Sequence, residues 1–163
     1  MTAKDAIKSV FTSNFNILSQ YISDLSDADL LVRPVPGANH IAWQLGHLIG
    51  AECRLLAGIP GGVSPELPAG FAERHSKETG ATEPPKGFLT KAEYLALFKK
   101  VREQTFAKLD KLPDADLDKP NTGPMAQFCP TLGLLFLLTA NHQMMHAGQF
   151  TVVRRKLGKP VLM

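Results

Sequence analysis

Cysteine is scarce in this chain of 163 residues: Cys53 and Cys129 are the whole complement. They stand far apart and form no CxxC, which excludes a disulfide framework or a cysteine-rich metal site and suits buried thiols in a reducing cytoplasm. A large charge of either sign is missing too. The net charge is only +3, and the densest basic cluster, Arg154, Arg155 and Lys156 with Lys159, falls at the C-terminal end of a helical pattern, where cations complement the helix dipole. A solvated helix end accounts for that cluster better than a nucleic-acid surface does. Long hydrophobic runs are absent: Leu132 to Ala140 is less than half of the ~20 residues that a bilayer crossing requires. The start, MTAKDAIKSVF, lacks a continuous apolar core, so neither a membrane span nor a signal peptide is expected.

What is present is helical patterning. With 44% hydrophobic and 20% charged residues, the composition is that of one folded domain covering 1–163. Ile7, Phe11, Phe15, Leu18, Ile22 and Leu25 step by fours and threes, predicting a first helix over about 3–24. RPVPGAN interrupts it, and Asn39 is the expected cap of a second helix that carries Ile41, Leu45, Leu48, Ile49 and Leu56 and stops near Gly58 and Pro60.

From Gly58 to Phe88 glycine and proline dominate, predicting a long connection with one helical turn near Phe71 to His75. A connection of that length lets the next helix run parallel to the second. Thr90 and Glu93 have capping-box spacing ahead of a third helix through Leu112. Pro130 suits the first position of a fourth, which runs to Gly158 and Pro160. No strand-like alternation appears. The expected fold is all-α, a four-helix bundle with a long crossover between helices 2 and 3. The first half of the last helix is apolar almost all round, which favours a homodimer that shares that face.

Against this frame NHQMMHAGQF, residues 141 to 150, carries the chemistry. His142 and His146 lie one above the other on the stripe Leu135, Thr139, His142, His146, Gln149, Val153. With five histidines in the chain such a pair is weak evidence alone. His47, in NHIAWQLGHLIGAE, is a third candidate ligand, with small neighbours at Gly46, Gly50 and Ala51 leaving room for an imidazole between helices. Three ligands would leave an open position, as catalytic sites do. Satisfied core histidines explain the same pattern equally well at this point. His40, at the first turn, is expected to be exposed or capping, and His75 solvated.

The segments HQMMHAGQFTVVRRKLGKP and AWQLGHLIGAE together resemble the last and second helices of the DinB/YfiT-like family of metal-dependent enzymes. That resemblance implies an up-down-down-up four-helix bundle and a divalent ion, zinc or nickel, held by His47, His142 and His146. It also implies a dimer and, in some members, transfer of low-molecular-weight thiols, and it carries no link to the like-named DNA polymerase. Met144 and Met145 depart from the family's more polar or aromatic residues, and the long connection, where a substrate pocket would be lined, matches no motif.

Neutral imidazoles suit zinc, nickel, iron or copper without discriminating among them. A divalent ion with an open position activates water or a thiol. Hydrolysis also needs a general base. Glu52 lies five residues past His47, off its face, and the last helix holds no acidic residue, which tilts the expectation toward a thiol-transferase acting on a small electrophile or thiol conjugate. A non-catalytic metal-binding detoxification protein and a metal-dependent hydrolase stay open. Gln149 is a candidate orienter of His146, and Arg54 a candidate anion contact whose simpler reading is a surface ion pair.

Overall fold

The computed structural model describes residues 1–162. Four long helices dominate it: α1 (Ala3–Ile22), α2 (Ile41–Gly58), α5 (Lys91–Lys111) and α6 (Leu132–Lys156). Two single-turn helices, α3 (Phe71–Arg74) and α4 (Lys77–Gly80), sit in the crossover between α2 and α5. Local chemistry starts the helices. Thr2 with Asp5, and Thr90 with Glu93, form reciprocal capping boxes that satisfy the orphan amides of α1 and α5.

Two other starts differ from the sequence expectation. His40, not Asn39, caps α2, its Nδ1 accepting from the Trp43 amide at 3.2 Å, and it does so fully buried, so it is a cap without being exposed. At α6 the cap is Thr131, which accepts from the Leu134 amide. Pro130 therefore stands just outside the helix, because the Thr131 hydroxyl supplies the capping bond that a proline cannot.

Contacts between helices set their directions. Asn14 donates to the Ala140 carbonyl and Arg154 to the Tyr21 carbonyl, so α1 and α6 are parallel. Glu52 meets Arg102 and Pro60 meets Lys108, so α2 and α5 are parallel. Phe15 packs on Phe98, Lys91 reaches the Ile22 carbonyl, and Gln44 reaches His146, which makes α1–α5 and α2–α6 antiparallel. The bundle is up-down-down-up, and the long crossover is what allows α2 and α5 to point the same way.

The core has two apolar clusters, one built around Leu18, Ile22, Leu45, Ile49, Phe98 and Phe150, the other around Phe11, Leu55, Leu109 and Phe136. Each such side chain stabilises the fold by roughly 1.5–3 kcal/mol on burial. Residues of both clusters flank a buried polar trio. Arg102 grips Glu52 through two bonds of 2.7 and 2.9 Å, donates to the Phe11 carbonyl at 3.0 Å and stacks over the Phe11 ring. Thr105 completes the Glu52 carboxylate at 2.7 Å.

The basic cluster at the end of α6 is not wholly solvated. Arg154 is fully buried and donates to the carbonyls of Tyr21 and Pro160 and to Asp24, tying the end of α6 to the end of α1. Its hydrogen bonds to the Asp24 carboxylate, with its charge adding to them, lower that carboxyl to about 2. Arg155 and Lys156 remain exposed. Among the described residues no helix is long and apolar enough to cross a membrane.

The crossover is anchored rather than loose. Arg33 donates to the carbonyls of Ala38, Gly80 and Thr82 and pairs with Glu83. His75, expected to be solvated, is buried. Its Nδ1 lies 2.7 Å from the Phe71 carbonyl and its Nε2 2.7 Å from the Tyr94 hydroxyl. It fills the space left by the missing side chain of Gly46, where a Cβ would come within 2.0 Å of the ring.

Candidate metal centre

Helix α6 presents His142 and His146 one turn apart, and antiparallel α2 brings His47 against them. The ring centroids stand 4.8 Å apart for His142 and His146, 5.1 Å for His47 and His142, and 5.3 Å for His47 and His146. The three residues form a group whose ligand atoms all lie within 4.8 Å of one another, an arrangement that could hold a metal ion.

The chemistry of the donors fits such an ion. His146 Nε2 and His142 Nε2 are 3.2 Å apart, close to the ~3.3 Å edge that a tetrahedral site with bonds of about 2.0–2.1 Å would impose. The His146 tautomer is set by its other nitrogen. Gln44 donates from its amide nitrogen to the Asn39 carbonyl at 2.9 Å, which turns the amide oxygen toward His146 Nδ1 at 2.7 Å. Only a protonated Nδ1 satisfies that oxygen, so the Nε2 lone pair faces the cluster.

His47 is braced on its ring face. Trp43 stacks on it at 5.0 Å with planes 13° apart, and the indole is itself pinned by a 2.7 Å bond to the Ser76 carbonyl. Burial, reinforced by the neighbouring imidazoles, lowers His47 to about 4 and His146 to about 3. Burial lowers His142 too, with the Arg54 charge adding to it. All three are therefore neutral near pH 7, the form that ligates.

On one side of the cluster lies a cleft of about 470 Å³, lined by His47 and His142, by Arg54, and by apolar side chains that include Leu135, Leu138 and Met125. Its far wall comes from the connection between α5 and α6, at Asn121 to Met125. The α2–α5 crossover, where the sequence suggested a pocket wall, packs instead against Trp43 and Gly46. Met145 stands at the cleft wall, largely exposed.

The other candidates separate clearly. Glu52 is committed to Arg102 and Thr105 and lines no part of the cleft. Gln149 is exposed, because three residues turn the helix through about 300° and so carry its side chain about 60° away from the direction of His146, toward solvent; the orienting amide is Gln44, from the opposite helix. Its three-residue spacing before His47, which places both on one face of α2, was the available signal. Arg54 takes part in none of the ion pairs among the described residues. Both cysteines are free and buried, and burial raises their thiols, so neither is an activated nucleophile.

Comparison with known proteins agrees with this architecture. The family model described as the DinB superfamily matches residues 11–150. A solved structure of a conserved protein from Enterococcus faecalis superposes with a TM-score of 0.71, covering 98% of this chain and 99% of that one. At 13% identity that likeness speaks for the fold alone. No curated protein gives a significant match.

Proposed function

The chain belongs to the DinB superfamily, and from that premise we propose that it is a divalent-metal-dependent enzyme of thiol-transferase type acting on a small electrophile or thiol conjugate. The observation that carries the reading is the convergence of three neutral imidazoles beside an open cleft that no carboxylate among the described residues lines. His47, His142 and His146 are the proposed ligands of zinc or nickel. Such an ion, when bound, supplies Lewis acidity and favours the thiolate form of a thiol at neutral pH.

The chain's own groups do the rest. Gln44 keeps the proton on His146 Nδ1, Trp43 holds the His47 ring in place, and Leu135 and Leu138 exclude water from one wall. In the transfer itself the thiol sulfur forms a bond to the electrophilic carbon, the leaving group departs with its bonding pair, and the thiol proton passes to solvent. Hydrolysis fits less well, since a general base within reach of a nucleophilic water is missing from the lining. The same feature supports a second reading, a protein that sequesters an ion or small ligand without turnover.

The chain is further proposed to act as a homodimer. Leu134, Met145 and Val152 are exposed and fall on one face of α6, an apolar stripe suited to a second copy. Replacing Leu134 and Val152 by glutamate should convert a dimer in light scattering to a monomer; a monomeric parent removes this part.

The test of function uses tag-free protein. Elemental analysis should find close to one zinc or nickel per chain after reconstitution, and His142→Ala should lower it sharply. Turnover of 1-chloro-2,4-dinitrobenzene with small thiols should then depend on His142. Less than about 0.1 ion per chain after reconstitution would leave a metal-free scaffold, because a formed site binds tightly. Full loading without His142-dependent turnover would favour sequestration.

A further inference from the structure

The cleft beside the histidines has a charged wall, and no carboxylate among the described residues balances it. Arg54 lies two turns past His47 on the same face of α2. Its head group is folded back along the helix: a Cβ at Gly50 would meet Arg54 Nη1 at 3.3 Å, as the N-terminal lean of helical side chains favours. Gly50 is three residues from His47, about 4.5 Å along the axis. The guanidinium therefore hangs between its own Cα and the histidine cluster, at the edge of the same cleft.

None of the ion pairs among the described residues engages it, and no aspartate or glutamate lines the cleft. A divalent ion on three neutral imidazoles would add two further positive charges to the one on Arg54. A region so charged takes an anionic ligand in preference to a neutral one. At the Arg54 end, away from the proposed ion, the described lining holds one guanidinium and no other Lys or Arg, which matches a carboxylate better than a phosphate, whose charge near two calls for more than one partner.

We infer that Arg54 is the anion anchor of this cleft and that the substrate is an acid, a thiol or thiol conjugate with a carboxylate a few atoms from its sulfur. The sulfur end rests on the proposed metal reading; the acid end does not require the ion. The intervening chain lies against Leu135, Leu138 and Met125, which accept carbon but offer no charge. Arg54 is in this role a specificity residue, without a part in bond making.

The experiment has a metal-free arm and a metal-loaded arm. In the first, 4-phenylbutyrate and its primary amide are titrated into metal-free protein by calorimetry and by the fluorescence of Trp43, the single tryptophan, whose indole stacks on His47. The acid should bind roughly tenfold more tightly than the amide at low salt, a preference that shrinks as salt is raised. Arg54→Gln should abolish the preference and leave amide binding unchanged, while Arg54→Lys keeps part of it. In the second arm, 3-mercaptopropionate and its amide are compared on loaded protein, with metal content measured in every variant. An acid-to-amide ratio equal in parent and Arg54→Gln, in both arms, overturns the anchor. An Arg54-dependent preference in the metal-free arm, with no ion bound in the second, upholds the anchor and defeats the metal reading instead.

Discussion

Gly46→Ala is the most informative single change to the scaffold behind the metal centre. A methyl group at this position would lie 2.0, 2.2 and 2.4 Å from Cδ2, Nε2 and Cγ of His75, against the 3.4–4 Å of ordinary contact. The ring has nowhere to go without loss. Its nitrogens are held by the Phe71 carbonyl and the Tyr94 hydroxyl, and Phe71, Phe88 and Tyr94 surround it with centroids 4.2, 5.6 and 5.7 Å away.

Expelling the imidazole forfeits two buried hydrogen bonds, roughly 1 kcal/mol each, and adds overpacking of about 1–3 kcal/mol. Alanine returns up to about 1 kcal/mol of helix propensity. The net loss should be about 2–4 kcal/mol, read as a shift in the urea midpoint followed by Trp43 fluorescence. His75→Ala alone should also destabilise, by stranding the Tyr94 hydroxyl and opening a cavity. The double variant should lie close to His75→Ala, a coupling of at least about 1.5 kcal/mol, because the new methyl then enters vacated space. A Gly46→Ala protein within about 0.5 kcal/mol of the parent, or strictly additive losses, would refute the steric account.

Other outcomes follow from neighbouring geometry. Gln44→Ala should weaken divalent metal binding by about 10–100-fold while the fold persists, and unchanged affinity in calorimetry would show that the Gln44–His146 bond does not set the donor tautomer. Glu52→Ala strands the Arg102 guanidinium in the core and should cost about 3–5 kcal/mol, without lowering metal content in the folded fraction; a loss under about 1 kcal/mol would mean that the pair is not buried in solution. Acid should destabilise the metal-free protein. Burial holds folded His40 and His75 at about 4, against an ordinary value of 6.5, so the unfolded chain binds protons that the folded chain refuses. Their contribution is complete above pH 6.5 and falls as pH drops toward 4, with a slope of up to about 1.4 kcal/mol per pH unit for each ring. His75→Ala should make that slope shallower in pH-dependent urea titrations, and an identical slope would contradict the assignment.

Much of the architecture follows from neighbours within a few residues. The apolar period of α1, the Thr90–Glu93 box of α5, the glycines and prolines of the crossover and the shared face of His142 and His146 all depend on helix geometry that repeats every 3.6 residues. His47 was legible as a third candidate from the small residues around it on the second helix, the family resemblance favoured it over a core histidine, and the fold brings it into one group with His142 and His146.

What no local pattern contained was the partner of each polar group across the bundle. Gln44 rather than Gln149 orients His146, the space at Gly46 receives His75 rather than a ligand imidazole, Arg154 is buried against the end of α1, and the α5–α6 connection rather than the crossover walls the cleft. Helical spacing decides which side chains share a face. Which face meets which, and at what register, is decided only when helices distant in sequence pack, because the apolar contacts and buried hydrogen bonds that select the register exist only in the assembled bundle.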